Sequence, residues 1–225
     1  MEAEFSVGIR KPCRARDADG TELSVRALQM SGEETTDRIP LIIGVTGHRD
    51  PHPAIIERLR QQVISFLREL HSSYEHTPLV ILSALADGAD RIAADAALEL
   101  SRDGIDVRIV VPMAMPQRIY EEDFDPHSLS EFRELLGQAW ASIELPLHPD
   151  VDGEALRRDP TLRDRQYQML GDFINHHCQL LIGLWDGTPG PRGGTADVMQ
   201  AKLRRDVPGL SRSIFALIDA CPYAT

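Results

Sequence analysis

The stretch "IPLIIGVTGHRD", residues 39–50, is an apolar, β-branched run that stops abruptly at a glycine followed by His48 and Arg49. A run of this length and composition reads as a strand buried on both faces. The segment that follows, "PAIIERLRQQVISFLREL" (53–70), repeats its apolar residues with helical period and carries Pro53 near its first turn, where proline is tolerated. The pattern then recurs. "TPLVILSALADGAD" (77–90) is proline, strand and glycine-containing loop, and "DRIAADAALELSRDG" (90–104) is a helix closed by Gly104. "IDVRIVVP" (105–112) is a third strand, expected to stop at Pro112. Strand, helix, strand, helix, strand with short joins predicts a parallel sheet with right-handed crossovers. The expected fold class is α/β, a Rossmann-like doubly wound and mostly parallel sheet with helices on both faces.

Further along, "MAMPQRIYEEDF" (113–124) and "HPDVDGEALRRDP" (148–160) read as loops, "SLSEFRELLGQA" (128–139) as a helix and "ASIELPL" (141–147) as a short strand. Regularity returns with a helix "TLRDRQYQMLGDFINHH" (161–177) and a strand "CQLLIGLWD" (178–186). A glycine-rich loop, a helix through about Arg205 and a last strand "SIFALID" (213–219) complete the series. Residues 1–38 mix charge, Gly and Ser without sustained period, and are expected to form a disordered arm ahead of a domain at 39–221. A strand or hairpin near "TELSVRAL" (21–28) is the alternative.

The chain has 225 residues, with 35 acidic against 24 basic side chains and a net charge of −11. Such a surface repels nucleic-acid phosphates and anionic lipid, so a bound anion must be held by local backbone and a few chosen cations. Cys13, Cys178 and Cys221 are widely spaced and form no CxxC pair, which suits reduced thiols in a cytoplasmic protein. No apolar run approaches the 18–20 or so residues that cross a bilayer, and no signal-peptide core opens the chain. No membrane contact is expected. The end at "DACPYAT", soon after a strand, leaves room for a further C-terminal module.

In an open parallel sheet, ligands sit beyond the carboxyl ends of the strands, where helix N-termini point their N–H groups. Three loops are expected at that edge. "TGHRD" (46–50) offers Gly47, His48 and the guanidinium of Arg49. "ALADGAD" (84–90) offers Ala86 and Gly88. "WDGTPGPRGGTAD" (185–197) offers Asp186, Gly187, Arg192, Gly193, Gly194 and Thr195. Backbone amides near the glycines, with the Thr195 hydroxyl, would hold phosphate, while Arg49 and Arg192 would neutralise it. Thr195 has helix capping as its other role. Asp186 is placed to accept from ribose hydroxyls or, equally, to form an Asx-type turn with Gly187. Asp87 and Asp90 read as caps of the second helix rather than as ligand contacts. Trp185 is either core or a stacking surface for a base, and Tyr120 and Phe124 are either core or a lid. The segments 113–130 and 187–194 are the expected movable parts. His176, His177 and Cys178 read as a helix end entering a strand, since consecutive residues do not converge on one ion.

GxxxxGK[ST] is absent, which argues against Mg-dependent triphosphate hydrolysis, and so is GxGxxG after the first strand, which argues against hydride transfer with NAD(P). No cofactor and no metal are expected. Taken together, "IGVTGHRD", "LSALADGADRIAADAALE", "VVP…Y…DF" and "LLIGLWDG…GGTAD" resemble the SLOG superfamily over roughly 40–220. These Rossmann-like domains are related to the LOG phosphoribohydrolases and the DNA-processing protein A family. The resemblance is nearest to the bacterial group found beside effectors in antiphage and other conflict systems. It implies binding and sensing of a nucleotide-derived signal, such as a cyclic nucleotide or an ADP-ribose-like molecule. It also implies a homo-oligomer, dimer or tetramer, with helices such as 53–70 able to make the contact, and a C-terminal or separate effector. The hydrolase pattern PGGxGTxxE is not kept, because Val198 stands at the position of its glutamate. Asp197 lies one residue earlier, about 100° round the helix. A phosphoribohydrolase or nucleosidase using Arg165 and Asp197 is therefore the first alternative to a sensor. Single-stranded DNA binding is the third reading, and the acidic balance works against it.

Overall fold

The computed structural model of the chain describes residues 13–16, 22–27, 38–148, 150–190, 194–204 and 214–216. The run that opened the sequence analysis is the central strand, β3 (Leu41–Gly47), with Ile43 and Val45 fully buried. It is followed by α1 (Pro53–Ser73), β4 (Leu79–Leu82), α2 (Ala89–Arg102) and β5 (Val107–Met113). Next come α3 (Gln117–Tyr120), α4 (Pro126–Gln138), β6 (Ala141–Glu144), α5 (Gly153–Arg158) and α6 (Pro160–His177). β7 (Leu180–Leu184), α7 (Thr195–Arg204) and β8 (Ile214–Ala216) end the series. Two strands precede β3, β1 (Cys13–Arg16) and β2 (Glu22–Ala27), within the segment expected as an arm.

The sheet order is β1-β2-β6-β5-β4-β3-β7-β8. Strands β6, β5, β4, β3, β7 and β8 run parallel, and the β1–β2 pair is added antiparallel at β6. The chain winds outward from β3 to β6, then returns to lay β7 on the other side of β3. This is a Rossmann-like α/β fold whose strand order reverses between β3 and β7.

Side-chain alternation along β3 shows that helices cover both faces. A Cβ on Gly44 would lie 2.7 Å from Ile174 of α6, whereas one on Gly47 would lie 2.3 Å from Ala89 of α2. Positions three apart on a strand point to opposite faces, so α6 and α2 flank the sheet from opposite sides. Gly183 of β7 pairs with Thr46 and sits under Met199 of α7, which places α7 on the α6 side. On the other side α2 presents Ala89, Ala93, Ala94, Ala96 and Ala97, all buried, and these short side chains let the helix lie close to the strands.

Four expectations are corrected. β5 does not stop at Pro112 but runs to Met113; β4 ends its pairing at Val110, so the proline opposes only Ile143 of β6. Residues 113–124 are not a plain loop. They hold α3 and a 3₁₀ turn at Glu121–Asp123, with Ile119 and Tyr120 buried. The segment 113–130, expected to be movable, is instead tied down by ion pairs. Arg157 pairs with Glu122 at 2.6 Å, Arg163 with Asp123 at 2.6 Å, and Arg133 with Glu121. Residues 148–160 contain α5, started by the Asp152 side chain accepting from Ala155 N–H. His176 and His177 do end α6, and buried Cys178 leads into β7.

Gly47 is the tightest of these contacts because one neighbour of its missing Cβ is backbone, the Leu184 carbonyl at 2.6 Å. Gly47→Ala is expected to cost about 1–3 kcal/mol through overpacking. Gly137→Ala in α4, where nothing lies within 4 Å of the new Cβ, is expected to be neutral or to stabilise by about 0.5–1 kcal/mol. Thermal melts of the two variants beside the parent check the pair.

Candidate functional site

A cavity of about 420 Å³ opens at the carboxyl ends of β3 and β7, at the reversal of strand order. Its base is apolar, made by Val45, Ala84, Tyr120, Leu170, Ile174 and Val198. Its polar rim comes from Thr46 to Arg49, from Ala86 and Asp90, from Asp164 and Tyr167 of α6, and from Thr188 and Gly194 to Ala196. The three loops singled out in the sequence therefore meet at one place.

Their amides, however, are largely used on each other. His48 N–H donates to the Leu184 carbonyl at 3.1 Å, and Ala89 N–H donates to the His48 carbonyl at 3.0 Å. Leu85 N–H bonds to Ser83 Oγ, and Ala86 N–H to Asp90 Oδ2 at 3.4 Å. The Thr195 hydroxyl, expected to cap its helix or meet an anion, donates to the Gly47 carbonyl at 2.8 Å and ties α7 to the end of β3. Gly88 does not line the cavity. It adopts φ +76° and abuts the His48 and Arg49 carbonyls, so it supports the first loop from behind. Among the described residues, what remains on the rim for an anion is the first turn of α7, whose leading N–H groups have no acceptor within the helix, and the Arg49 guanidinium.

Arg49 lies 5.6 Å from the ring centroid of Tyr167. Among the described residues it makes no ion pair, while Arg91, Arg157 and Arg163 each have a carboxylate. Tyr167 is fixed from behind, since its hydroxyl donates to Asp123, which is held by Arg163. Burial, and then the charge of Asp123, push the Tyr167 phenol up, so it stays a donor. Tyr120 is not a lid. It is fully buried, donates from its hydroxyl to the Ala84 carbonyl at 3.0 Å, and packs edge-on against Phe124, itself stacked on Phe132. Tyr167 was not legible as a cavity residue in the sequence, because α6 carries no turn signal and meets the site only through packing across the sheet, whereas Asp90 lies in a loop expected at this edge but reads there as a helix cap.

Asp87 and Asp90 do not cap α2, whose N-cap is Gly88 with no side-chain bond. Asp87 pairs with Arg91 at 2.8 Å and accepts from the Ser128 hydroxyl at 2.5 Å. Arg91 is buried and also binds Glu131, Ser128 and the Leu85 carbonyl. It thereby anchors the β4–α2 loop to α4 and holds Leu85 at φ 55°, a left-handed conformation uncommon for leucine. Asp90 is left buried on the cavity wall, and burial lifts its carboxyl from 3.8 to about 7 against the pull of the Ala86 N–H and Arg49.

Asp186 takes the turn role. Its Oδ1 accepts from Thr188 N–H at 2.9 Å, the Thr188 hydroxyl at 2.7 Å and His48 Nε2 at 2.9 Å, with Gly187 at φ +87° beside it. The Thr188 backbone and hydroxyl, then His48, hold its carboxyl down at about 2. Asp186 and Gly187 shape the loop without lining the cavity. Trp185 is half-buried on the cavity edge and donates Nε1–H to the Thr188 carbonyl at 2.7 Å. Arg165 is exposed and away from the cavity, and Asp197 lines a separate depression with Gln168, Asp172 and Arg204. The pair named for a hydrolase is thus not brought together in the cavity. Arg192 and Gly193 lie outside the described residues.

No family model matches the chain, and no curated protein matches it. Among solved structures it is similar to DNA processing protein A from Helicobacter pylori, described for its single-stranded DNA binding mode. That likeness has 19% identity and a TM-score of 0.45 over 80% of this chain and 67% of that one. It is too slight to bear on the site.

Because Asp90 holds its proton more tightly folded than unfolded, its contribution to stability is fully present below about pH 4 and is lost as pH rises towards about 7. The charged groups facing it are Arg49 from the β3–α1 loop and Arg91 from its own helix, with the Tyr120 phenol from α3. Asp90→Asn is therefore expected to gain on the parent in melting temperature between about pH 5 and about pH 8. Melts across that range check it; a constant difference would contradict the assignment.

Proposed function

We propose that the cavity binds a nucleotide-derived small molecule and that the chain acts as a sensor of it rather than as its hydrolase. The observation that carries this reading is the Arg49 guanidinium, which has no carboxylate partner among the described residues and lies on the same cavity as the first turn of α7. A cation without a carboxylate, beside a helix N-terminus, favours an anionic group. On a chain of net charge −11 it does so locally against an unfavourable surround. The apolar base of the cavity suits the uncharged part of the ligand. A cyclic nucleotide or an ADP-ribose-like signal of a bacterial antiphage or stress system is the ligand class the SLOG resemblance favours. The output would be a homo-oligomer contact or an effector in the cytoplasm. Occupancy changes such an output only if the ligand prefers one of its two arrangements.

A thermal-shift screen of cyclic dinucleotides, cyclic trinucleotides, ADP-ribose isomers and nucleoside monophosphates tests the proposal. A ligand present at about 100 times its Kd adds about 2.7 kcal/mol, which is several degrees in Tm for a domain of this size. Arg49→Ala is expected to abolish most of that shift. Release of free base from a nucleoside monophosphate, followed by chromatography and lost in Asp197→Ala, would replace the sensor with the hydrolase. Stabilisation by single-stranded DNA alone would replace it with the third reading.

A further inference from the structure

The polar groups of the cavity are divided between the two faces of the sheet. Gly194, Thr195 and Ala196 belong to the α7 side, whereas Ala86 and Asp90 belong to the α2 side, across the end of β3. The α7 side offers donors. The α2 side offers an acceptor, for Asp90 is 8% exposed, lies on the cavity wall and uses only part of its acceptor capacity on backbone N–H groups of its own loop. Around it the wall is Ala84, Ala86 and the Tyr120 ring, and the charged groups facing it are Arg49 and Arg91.

A ligand whose phosphate sits at α7 and Arg49 must cross the end of β3 to fill the rest of the cavity. In a mononucleotide the ribose is the spacer, and the group that arrives on the far side is the base. The geometry points to Asp90 as the residue that reads the ligand's base, by accepting from N–H donors on the edge of a purine. Two adjacent N–H donors match a carboxylate best, so a guanine edge is preferred over adenine. This assignment rests on the nucleotide reading above and adds to it which end of the ligand lies where. It also gives a reason for a carboxyl on the wall of a cavity that otherwise favours anions.

The experiment is calorimetric titration of the full chain with GMP, AMP and ribose 5-phosphate. GMP is expected to bind at least about tenfold tighter than ribose 5-phosphate, the size of one hydrogen-bonded pair involving a charge. In Asp90→Ala that advantage is expected to vanish, with ribose 5-phosphate affinity unchanged within about twofold. Asp90→Asn keeps the volume and, through its amide donor, is expected to shift preference from GMP towards AMP, which covers the case in which the alanine variant does not fold. Equal weakening of GMP and ribose 5-phosphate by Asp90→Ala would overturn the assignment by placing the carboxyl on ribose hydroxyls. So would an unchanged GMP advantage. In both of those cases Arg49→Ala would still weaken every probe, leaving the anion site standing. If no probe bound the parent chain at millimolar concentration, the nucleotide reading would fall and this assignment with it.

Discussion

Residues 47 and 48, at the carboxyl end of β3, join the three parts of the molecule that form the cavity. The Gly47 carbonyl receives the Thr195 hydroxyl, the His48 amide is given to Leu184, and the His48 carbonyl receives the Ala89 amide. One short piece of backbone thus fixes α7, the end of β7 and the start of α2. It can do so only because position 47 has no side chain; a Cβ there would occupy the space of Ala89 and of the Leu184 carbonyl. Helix α2 and strand β7 approach from different directions and stop at the same atom positions. The constraint is steric first, and the hydrogen bonds follow from the closeness it permits.

The α2 side of the cavity is held by a second device, and it works by charge rather than by closeness. Arg91 is buried and satisfies its guanidinium with Asp87, Glu131, Ser128 and the Leu85 carbonyl. A buried guanidinium is tolerable only when its donors are all taken, and here its partners come from the loop before α2 and from α4. The left-handed Leu85 is kept in place by the same contacts, and a residue in that region persists only where its surroundings over-determine it. Asp90 directly precedes Arg91 and inherits a fixed position. The cavity carries on its rim a guanidinium without a carboxylate partner among the described residues and a half-buried tryptophan, Trp185.

The fold was legible because buried parallel strands announce themselves. β3, β4, β5 and β7 are short apolar runs ended by glycine, proline or a charged loop, and the helices between them repeat with helical period. What escaped the sequence was structure fixed by contacts distant along the chain. α3 has four residues, too few for a period to show, and exists because Ile119 and Tyr120 are buried against the core. β5 outlasts Pro112 because only one neighbour still pairs there, which no local pattern reveals. In the site, Gly47, His48, Arg49, Ala86, Gly194 and Thr195 were found from loop chemistry and do line one cavity. Tyr167 was missed because its side chain reaches the cavity through the packing of α6, and a helix face does not record what lies beyond the strand it covers. Asp90 was in view but read as a helix cap, and only the Gly88 N-cap leaves its carboxyl to the cavity wall.

Glycine-rich turns suggested a cradle of free amides, and the difference from what is present has a physical consequence. Amides spent on neighbouring carbonyls cannot turn toward a ligand without breaking the contacts that bring the loops together. The described parts of these loops are tied together through Gly47 and His48, and a rim fixed in this way loses little conformational entropy when it is filled. Among the described residues the anion is left to one guanidinium and one helix terminus, the helix end being worth about 0.3–1 kcal/mol where it is exposed to solvent. The helix end is too weak to hold a phosphate tightly by itself, so the guanidinium carries the anion. The apolar base and the groups that meet the uncharged part of the ligand add to it, and a site built in this way discriminates by what the phosphate is attached to.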